Sequence, residues 1–270
     1  MFSVQICGGL GNQLFQIFAA IAYSISYRVP LALPRYGSNR PTYWSNFLRA
    51  LEPIVTDNCA HFRNLNEVGF EDVDIPFINH DFKLVGYFQS YKYFERHYDG
   101  IYKSLKIDES IAELRGKIQD RIDADNTISL HIRCGDYKEL QDHHPLLPTN
   151  YYTKAIEEII NKTERDNWDL IYFYEPGDHD YVRSMINSLS ARFNNMNFMS
   201  VEHDLQDYEQ LLLMSLCRNN IIANSSFSWW GAYLNSNKDK IVCRPSIWFG
   251  IALSHNIKDL CPAEWNVIDI

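Results

Sequence analysis

The chain has 270 residues, 46% of them hydrophobic and 14% aromatic, which excludes a disordered polypeptide and allows one large α/β domain or two domains of about 100–150 residues. Its formal net charge of −9 argues against a general nucleic-acid or anionic-membrane binder, which would need a basic surface, and leaves room for a local anion site. The six cysteines, at 7, 59, 134, 217, 243 and 261, form no CxxC pair and no metal-ligand spacing and read as reduced thiols. With no apolar run of about 18 residues and no charged segment before the first strand, the chain reads as cytoplasmic, with peripheral membrane contact left open.

In chain order, FSVQI (2–6) reads as a strand, CGGLGNQ as a glycine turn and LFQIFAAIAYSISY as about four helical turns. LALP (31–34) is a second strand, and the stretch from about 35 to 80, rich in Pro, Asn and aromatics, has no usable periodicity. FKLVGYFQS (82–90) reads as a strand, and Ile111, Leu114, Ile118 and Ile122 give helical spacing from Asp108 to about Arg121. DADN (123–126) resets the pattern. From Thr127 nine elements alternate: TISLHI, YYTKAIEEIINK, WDLIYFY, HDYVRSMINSL, NFMSV, DYEQLLLMSLC, IIAN, FSWWGAYLNS and KIVC, strand first. Such alternation implies a parallel sheet covered on both faces, with ligands at the carboxyl ends of the strands. The reading is two Rossmann-like α/β halves, 1–122 and 123–270, with functional loops after Ile6, His131, Tyr174, Val201 and Ala223.

CGGLGNQLFQ (7–16) places Gly8, Gly9 and Gly11 between a strand and a helix N-terminus, where exposed N–H groups favour an anion or a polar ligand. Leu14 stands where a dinucleotide fingerprint needs glycine, and no Gly-Lys-Ser/Thr follows, so a plain βα turn and ligand binding are equally good readings. Asn12 and Gln13 tilt the loop toward binding, because amides at a sheet's mouth can hold sugar hydroxyls. In ISLHIRCGDYKEL (128–140), Arg133 follows an apolar strand and can grip phosphate oxygens through its forked guanidinium. The blander outcome for a lone R-x-G-D, and the commoner one, is that Arg133 and Asp136 pair with each other. His131 shares a strand face with Arg133 and is either a positioning group or a satisfied core histidine.

NSSFSWWGAYL (224–234) supplies Asn224, Ser225, Ser226 and Ser228 across a helix start, more than one cap requires, while Trp229, Trp230 and Tyr233 read as core. Asp136, Glu139, Glu175, Asp178, Glu202 and Asp204 are the acid–base candidates at strand ends, and spacing does not rank them. No HExxH, Asp-x-Asp or His/Cys cluster points to a metal, so metal-free chemistry is the working expectation.

Four stretches in this order, CGGLGNQLFQ, LVGYFQSYKYF, HIRCGDY and IIANSSFSWWGAYLN, resemble the α-1,2-fucosyltransferase family, inverting enzymes that move L-fucose from GDP-fucose to a sugar hydroxyl. The resemblance implies a GT-B type fold, two Rossmann-like domains facing across a cleft, with 1–122 on the acceptor side and 123–270 on the donor side. It implies donor contacts from Gly9, Gly11, Asn12, Gln13, Arg133, Asn224, Ser225, Ser226, Phe227 and Ser228. Arg133, His131 and Asp136 would serve catalysis, Asp136 as the base. The implied partners are a nucleotide sugar and a glycan acceptor, with O2 of a terminal galactose as the receiving hydroxyl and no cofactor or metal.

Two departures stand against the pattern. Cys134 replaces a second arginine, and Tyr174-Glu175-Pro176-Gly177-Asp178 replaces a Ser-Asp-Asp type segment. They keep two alternatives open: transfer of another nucleotide deoxyhexose such as rhamnose, or a degenerate nucleotide-sugar-binding protein. If the second arginine mainly neutralises charge, Cys134→Arg should tighten the donor complex. A phosphate-binding NTPase is a weaker reading, since the glycine loop lacks its lysine.

Overall fold

A computed structural model describes residues 1–59, 62–67, 69, 74–118, 122–201, 204–253 and 255–270. The chain forms two compact units, Met1–Glu113 with His255–Pro262, and Leu114–Ser254 with Ala263–Ile270. The first unit ends inside a helix, ahead of the 122/123 division read from the sequence, and it recruits a late segment that a single division does not give.

The first unit comprises β1 (Phe2–Val4), α1 (Leu10–Tyr27), β2 (Leu31–Pro34), β3 (Val55–Thr56), β4 (Arg63–Asn66), β5 (Phe82–Val85), α2 (Tyr98–Ser104) and the start of α3 (Ile107–Ile118). Its sheet runs β3-β2-β1-β5-β4 with every pair parallel. Phe2 lies between Phe82, stacked at 5.2 Å, and Tyr23 of α1, edge-on at 4.9 Å, so the apolar stripe of α1 closes one sheet face. α1 stops where Arg28 takes a left-handed conformation (φ 55°) and its N–H returns to the Ser24 carbonyl. The strand expected over 82–90 ends at Val85 because Gly86 (φ 157°) and Phe88 (φ 52°) turn the chain. Glu67 Oε2 accepts the N–H groups of Tyr87 (2.7 Å) and Phe88 (3.0 Å) at that turn. Burial pushes the Glu67 carboxyl up to about 7. The end of the helix expected to reach Arg121 lies outside the described residues.

The second unit holds β6 (Thr127–His131), α4 (Thr149–Thr163), β7 (Asp169–Phe173), α5 (His179–Arg192), β8 (Asn197–Ser200), α6 (Asp207–Leu216), β9 (Asn219–Ile221), α7 (Ser226–Tyr233), β10 (Val242–Pro245) and β11 (Asn266–Ile268). Its six strands run β11-β10-β9-β6-β7-β8, all parallel, as the alternation predicts. β6 is central and buried throughout. Its even-numbered residues, Ile128 and Leu130, and then Ile132 and Cys134, join the core made with Tyr151, Tyr152 and Ile156 of α4 and Val182 and Leu189 of α5. The opposite face of β6 carries the buried polar residues Thr127, Ser129 and His131, and at Ser129 it is tied to the neighbouring strand by side chains. Asn220 Nδ2 donates to Ser129 Oγ (2.7 Å) and the Met214 carbonyl (2.8 Å), while Asn235 Nδ2 donates to Asn220 Oδ1 (2.8 Å). Trp229 and Trp230 of α7 are fully buried. Among the described residues no helix is long and apolar enough to cross a membrane.

Because Asn220 ties β6, β9, α6 and the chain after α7 through three buried hydrogen bonds, Asn220→Ala leaves partner groups unsatisfied and should lower stability by about 2–4 kcal/mol. Urea unfolding followed by tryptophan fluorescence checks this, and an unchanged midpoint would remove the network from the account of stability.

Candidate active site

The loop after β6 carries the sequence's strongest chemical signal. Gly135–Lys138 forms a single 3-10 turn, and Gly135 is left-handed (φ 44°). A Cβ on Gly135 would lie 2.7 Å from Glu175 Oε2, so only glycine fits there without displacing that carboxylate. The turn is held from the neighbouring loop by Asp178. This carboxylate, its side chain only 4% exposed, accepts the Gly135 N–H at 2.7 Å on Oδ2 and the Lys138 ammonium at 2.6 Å on Oδ1. Burial is tolerable for it because both oxygens are engaged.

Arg133 stands at the rim with its side chain 23% exposed. Nη2 donates to Asp136 Oδ1 at 2.5 Å, Nη1 pairs with Glu175, and the guanidinium lies over the Tyr137 ring, 4.9 Å from its centre. The mutual pairing of Arg133 and Asp136 is thus present, and it fixes the fork at the strand end. Tyr137 extends the anchorage by donating its hydroxyl to the Asn224 carbonyl at 3.1 Å. Tyr137 and Lys138 were invisible as site residues because nothing in their spacing marks them.

His131 lies behind this rim, buried, with Nδ1 2.9 Å from Ser228 Oγ and its ring 5.6 Å from that of Phe227. Burial, with the Arg133 charge adding to it, pushes its pKa down to about 3, so the imidazole is neutral at physiological pH and a poor proton acceptor. Ser228 Oγ also accepts the Ala223 N–H at 3.2 Å. Ser225 caps α7, its side chain accepting the Phe227 N–H. Asn224 is buried and donates through Nδ2 to the carbonyls of Pro145 (3.0 Å) and Trp248 (3.2 Å), tying two loops together. Of the expected donor residues in 224–228, only Ser226 and Phe227 are partly exposed.

Cys134 is 1% exposed and belongs to the core beneath β6, where burial pushes its thiol up to about 11. An arginine at this position would have to enter packed space, so Cys134→Arg disturbs the core rather than adding a charge at the rim. That corrects the expected tightening of the donor complex.

In the first unit the glycine loop is held by its own amide side chains together with Asn39, Pro41 and Gln89 from neighbouring segments. Gly8 (φ 77°) gives its N–H to Asn39 Oδ1 at 2.8 Å. Asn12 Oδ1 accepts from Gln89 Nε2 at 2.9 Å, and Gly11 is buried in the first turn of α1. Gln13 is fully buried, its Nε2 bracing the loop by donating to the carbonyls of Gly8 (3.0 Å) and Pro41 (2.9 Å), while its Oε1 has no partner among the described residues. Gln16, which the sequence reading passed over, braces it from below through Cys7 N–H and the Gly86 carbonyl. Gly9 is the open position, exposed and with nothing within 4 Å of a Cβ. Among the remaining acid–base candidates, Glu139 and Asp204 are exposed, and Glu202 lies outside the described residues.

The low pKa of His131 has a consequence for acid stability. Between pH about 3 and 6.5 the unfolded chain binds the imidazole's proton and the folded chain does not. Stability is therefore complete above about 6.5 and is lost as the pH falls toward 3. Thermal melts across this range should show His131→Gln with a flatter acid loss than the parent chain; parallel curves would contradict the assignment.

The description "Glycosyl transferase family 11" matches residues 39–268. Over 293 aligned residues the chain is 29% identical to an alpha-1,2-colitosyltransferase of Escherichia coli, covering 97% of this chain and 96% of that protein. Over 181 residues it is 35% identical to the O-antigen biosynthesis glycosyltransferase WbnK of Escherichia coli, covering 64% of this chain and 57% of that one. Its fold is similar to that of E. coli ADP-heptose lps heptosyltransferase II, with a TM-score of 0.54 at 10% identity over 99% of this chain and 89% of that one. Two α/β units with wholly parallel sheets agree with the GT-B class expected from the sequence. As the family match runs from the loop after β2 into β11, the chain belongs to glycosyl transferase family 11 and is a glycosyltransferase.

Proposed function

We propose that the chain transfers L-fucose from GDP-fucose in α-1,2 linkage to a glycan hydroxyl, O2 of a terminal galactose, with inversion and without a metal or other cofactor. The observation that carries this reading is Arg133, a forked cation fixed at the end of a buried central strand and still partly open to solvent. In the reaction the acceptor oxygen attacks the anomeric carbon, the bond from that carbon to the diphosphate breaks, and GDP leaves with the charge that Arg133 stabilises. The N-terminus of α7, with partly exposed Ser226 and Phe227, adds N–H groups on the same unit. A neutral, buried His131 keeps Phe227 and Ser228 in place rather than moving a proton.

The acceptor's proton requires a base, and Asp136 is the candidate. Its carboxylate, 61% exposed, already orients Arg133, so one side chain would combine two duties. The first unit offers a setting for the acceptor: a cavity of about 240 Å³ at the ends of β1, β2 and β3, lined by Ser3, Gln5, Arg35, Ser38 and Lys83 with Tyr36 at its rim. The exposed Tyr36 ring beside hydroxyl and amide groups suits a sugar, whose ring has an apolar face and a polar edge.

A second donor reading is favoured by the full-length similarity to an alpha-1,2-colitosyltransferase. Colitose is fucose without its 3-hydroxyl, so the choice turns on whether a buried polar group meets that hydroxyl. A site built to meet it rejects the analogue by a large factor, about 10⁴ or more. Other deoxyhexoses, rhamnose among them, fall under the same test. A binding protein without transfer predicts tight GDP binding and no turnover.

The test is a donor screen read by released nucleotide, with GDP-fucose beside other GDP-deoxyhexoses, galactose-terminated acceptors, and chelator present or absent. Turnover of GDP-fucose that survives chelator is expected, and no turnover with any of these donors would end the transferase reading. In the active combination, Arg133→Ala should lower kcat/KM by about 10²–10³ and weaken GDP binding. Asp136→Asn separates its two duties: GDP affinity close to the parent with lost turnover identifies the base, whereas lost affinity with proportionate turnover leaves it as the arginine's partner only.

A further inference from the structure

The fork of Arg133 is divided between two carboxylates, Asp136 on Nη2 and Glu175 on Nη1. A diphosphate gripped by this arginine needs the same nitrogens, since its strength comes from two parallel charge-assisted hydrogen bonds. The two carboxylates differ in attachment. Asp136 belongs to the same loop as Arg133 and moves with it. Glu175 comes from the loop after β7, stands over the side-chain-free face of Gly135, and has a side chain 54% exposed. Asp178, three residues beyond it, is buried and fixed by Gly135 and Lys138, so the backbone of the Glu175 loop is anchored while its carboxylate borders solvent.

We propose that Glu175 sets the nucleotide affinity of this site by competing with the diphosphate for Arg133. The carboxylate yields Nη1 when the donor binds and takes it back as the nucleoside diphosphate leaves. No covalent bond changes; one charge-assisted pair replaces another, and the net gain on binding is only their difference. This also keeps the arginine compensated at every stage, in a rim where Lys138 is already committed to Asp178. The proposal rests on the reading of Arg133 as the diphosphate ligand, and its test separates the two.

The measurement is GDP affinity by calorimetry and GDP dissociation by stopped flow on the full chain. Glu175→Gln keeps the side chain's size and removes its charge. It should bind GDP roughly fivefold more tightly and release it more slowly by a similar factor, the scale of a partly exposed ion pair. Asp180→Asn, which removes a charge at the exposed start of α5, should change the affinity by less than about twofold. Unchanged GDP affinity in Arg133→Ala overturns the diphosphate reading itself. If Arg133→Ala loses GDP, three results overturn the competition alone: Glu175→Gln binding no more tightly, Glu175→Gln binding more weakly with a lowered Tm, or Asp180→Asn tightening equally.

Discussion

Asp178 is the interaction on which the candidate site depends. A buried carboxylate is stable only when its charge is met, and here one oxygen meets an ammonium and the other a backbone N–H. Both partners lie on the turn after β6, while Asp178 lies on the turn after β7. The two strands are adjacent and parallel, with His131 opposite Phe173, so their carboxyl ends emerge side by side. The pairing turns that adjacency into one rigid corner, from which Arg133 projects at the boundary between core and solvent. Without it, a left-handed glycine followed by a short 3-10 turn would have little to define its path.

The second sheet was legible because parallel strands covered by helices are short apolar runs set between amphipathic segments, and nine such elements follow one another with one long loop, 132–148, between the first two. Much of the first unit was not. β3 has two residues, and β4, Arg63–Asn66, is a polar edge strand whose pairing with β5 is made by backbone groups that leave no side-chain pattern. β11 is three residues long and is defined by its neighbour β10 rather than by its own composition. The described elements of the 35–80 region are thus too short to carry a period.

The site residues divide on similar physical lines. Arg133 was legible from its type and its place at the end of an apolar run, and strand alternation also carried the information that Cys134 points inward with Ile128, Leu130 and Ile132. Gln13 and Asn224 show that an amide at a strand–helix junction can brace a loop through its nitrogen, a use that sequence does not distinguish from holding a ligand. The bracing use depends on the tertiary positions of the carbonyls of Pro41, Pro145 and Trp248, which no local pattern gives. Three serines where one cap would suffice did signal a second task, which for Ser228 is to hold His131 and the Ala223 N–H. The rim so built sets two cations, Arg133 and Lys138, against three carboxylates, Asp136, Glu175 and Asp178, so each cation is compensated, as fits a chain whose overall charge is negative.

The segment His255–Pro262 belongs to the first unit, where buried Asp259 pairs with Lys92, and the chain then returns to supply β11 to the second sheet. This order has a consequence for biosynthesis. Domains commonly fold in succession as they leave the ribosome, the amino-terminal one first. Here the first unit lacks one of its own pieces until Pro262 has been translated, after the strands and helices of the second unit up to β10. The first unit therefore cannot be completed ahead of the bulk of the second.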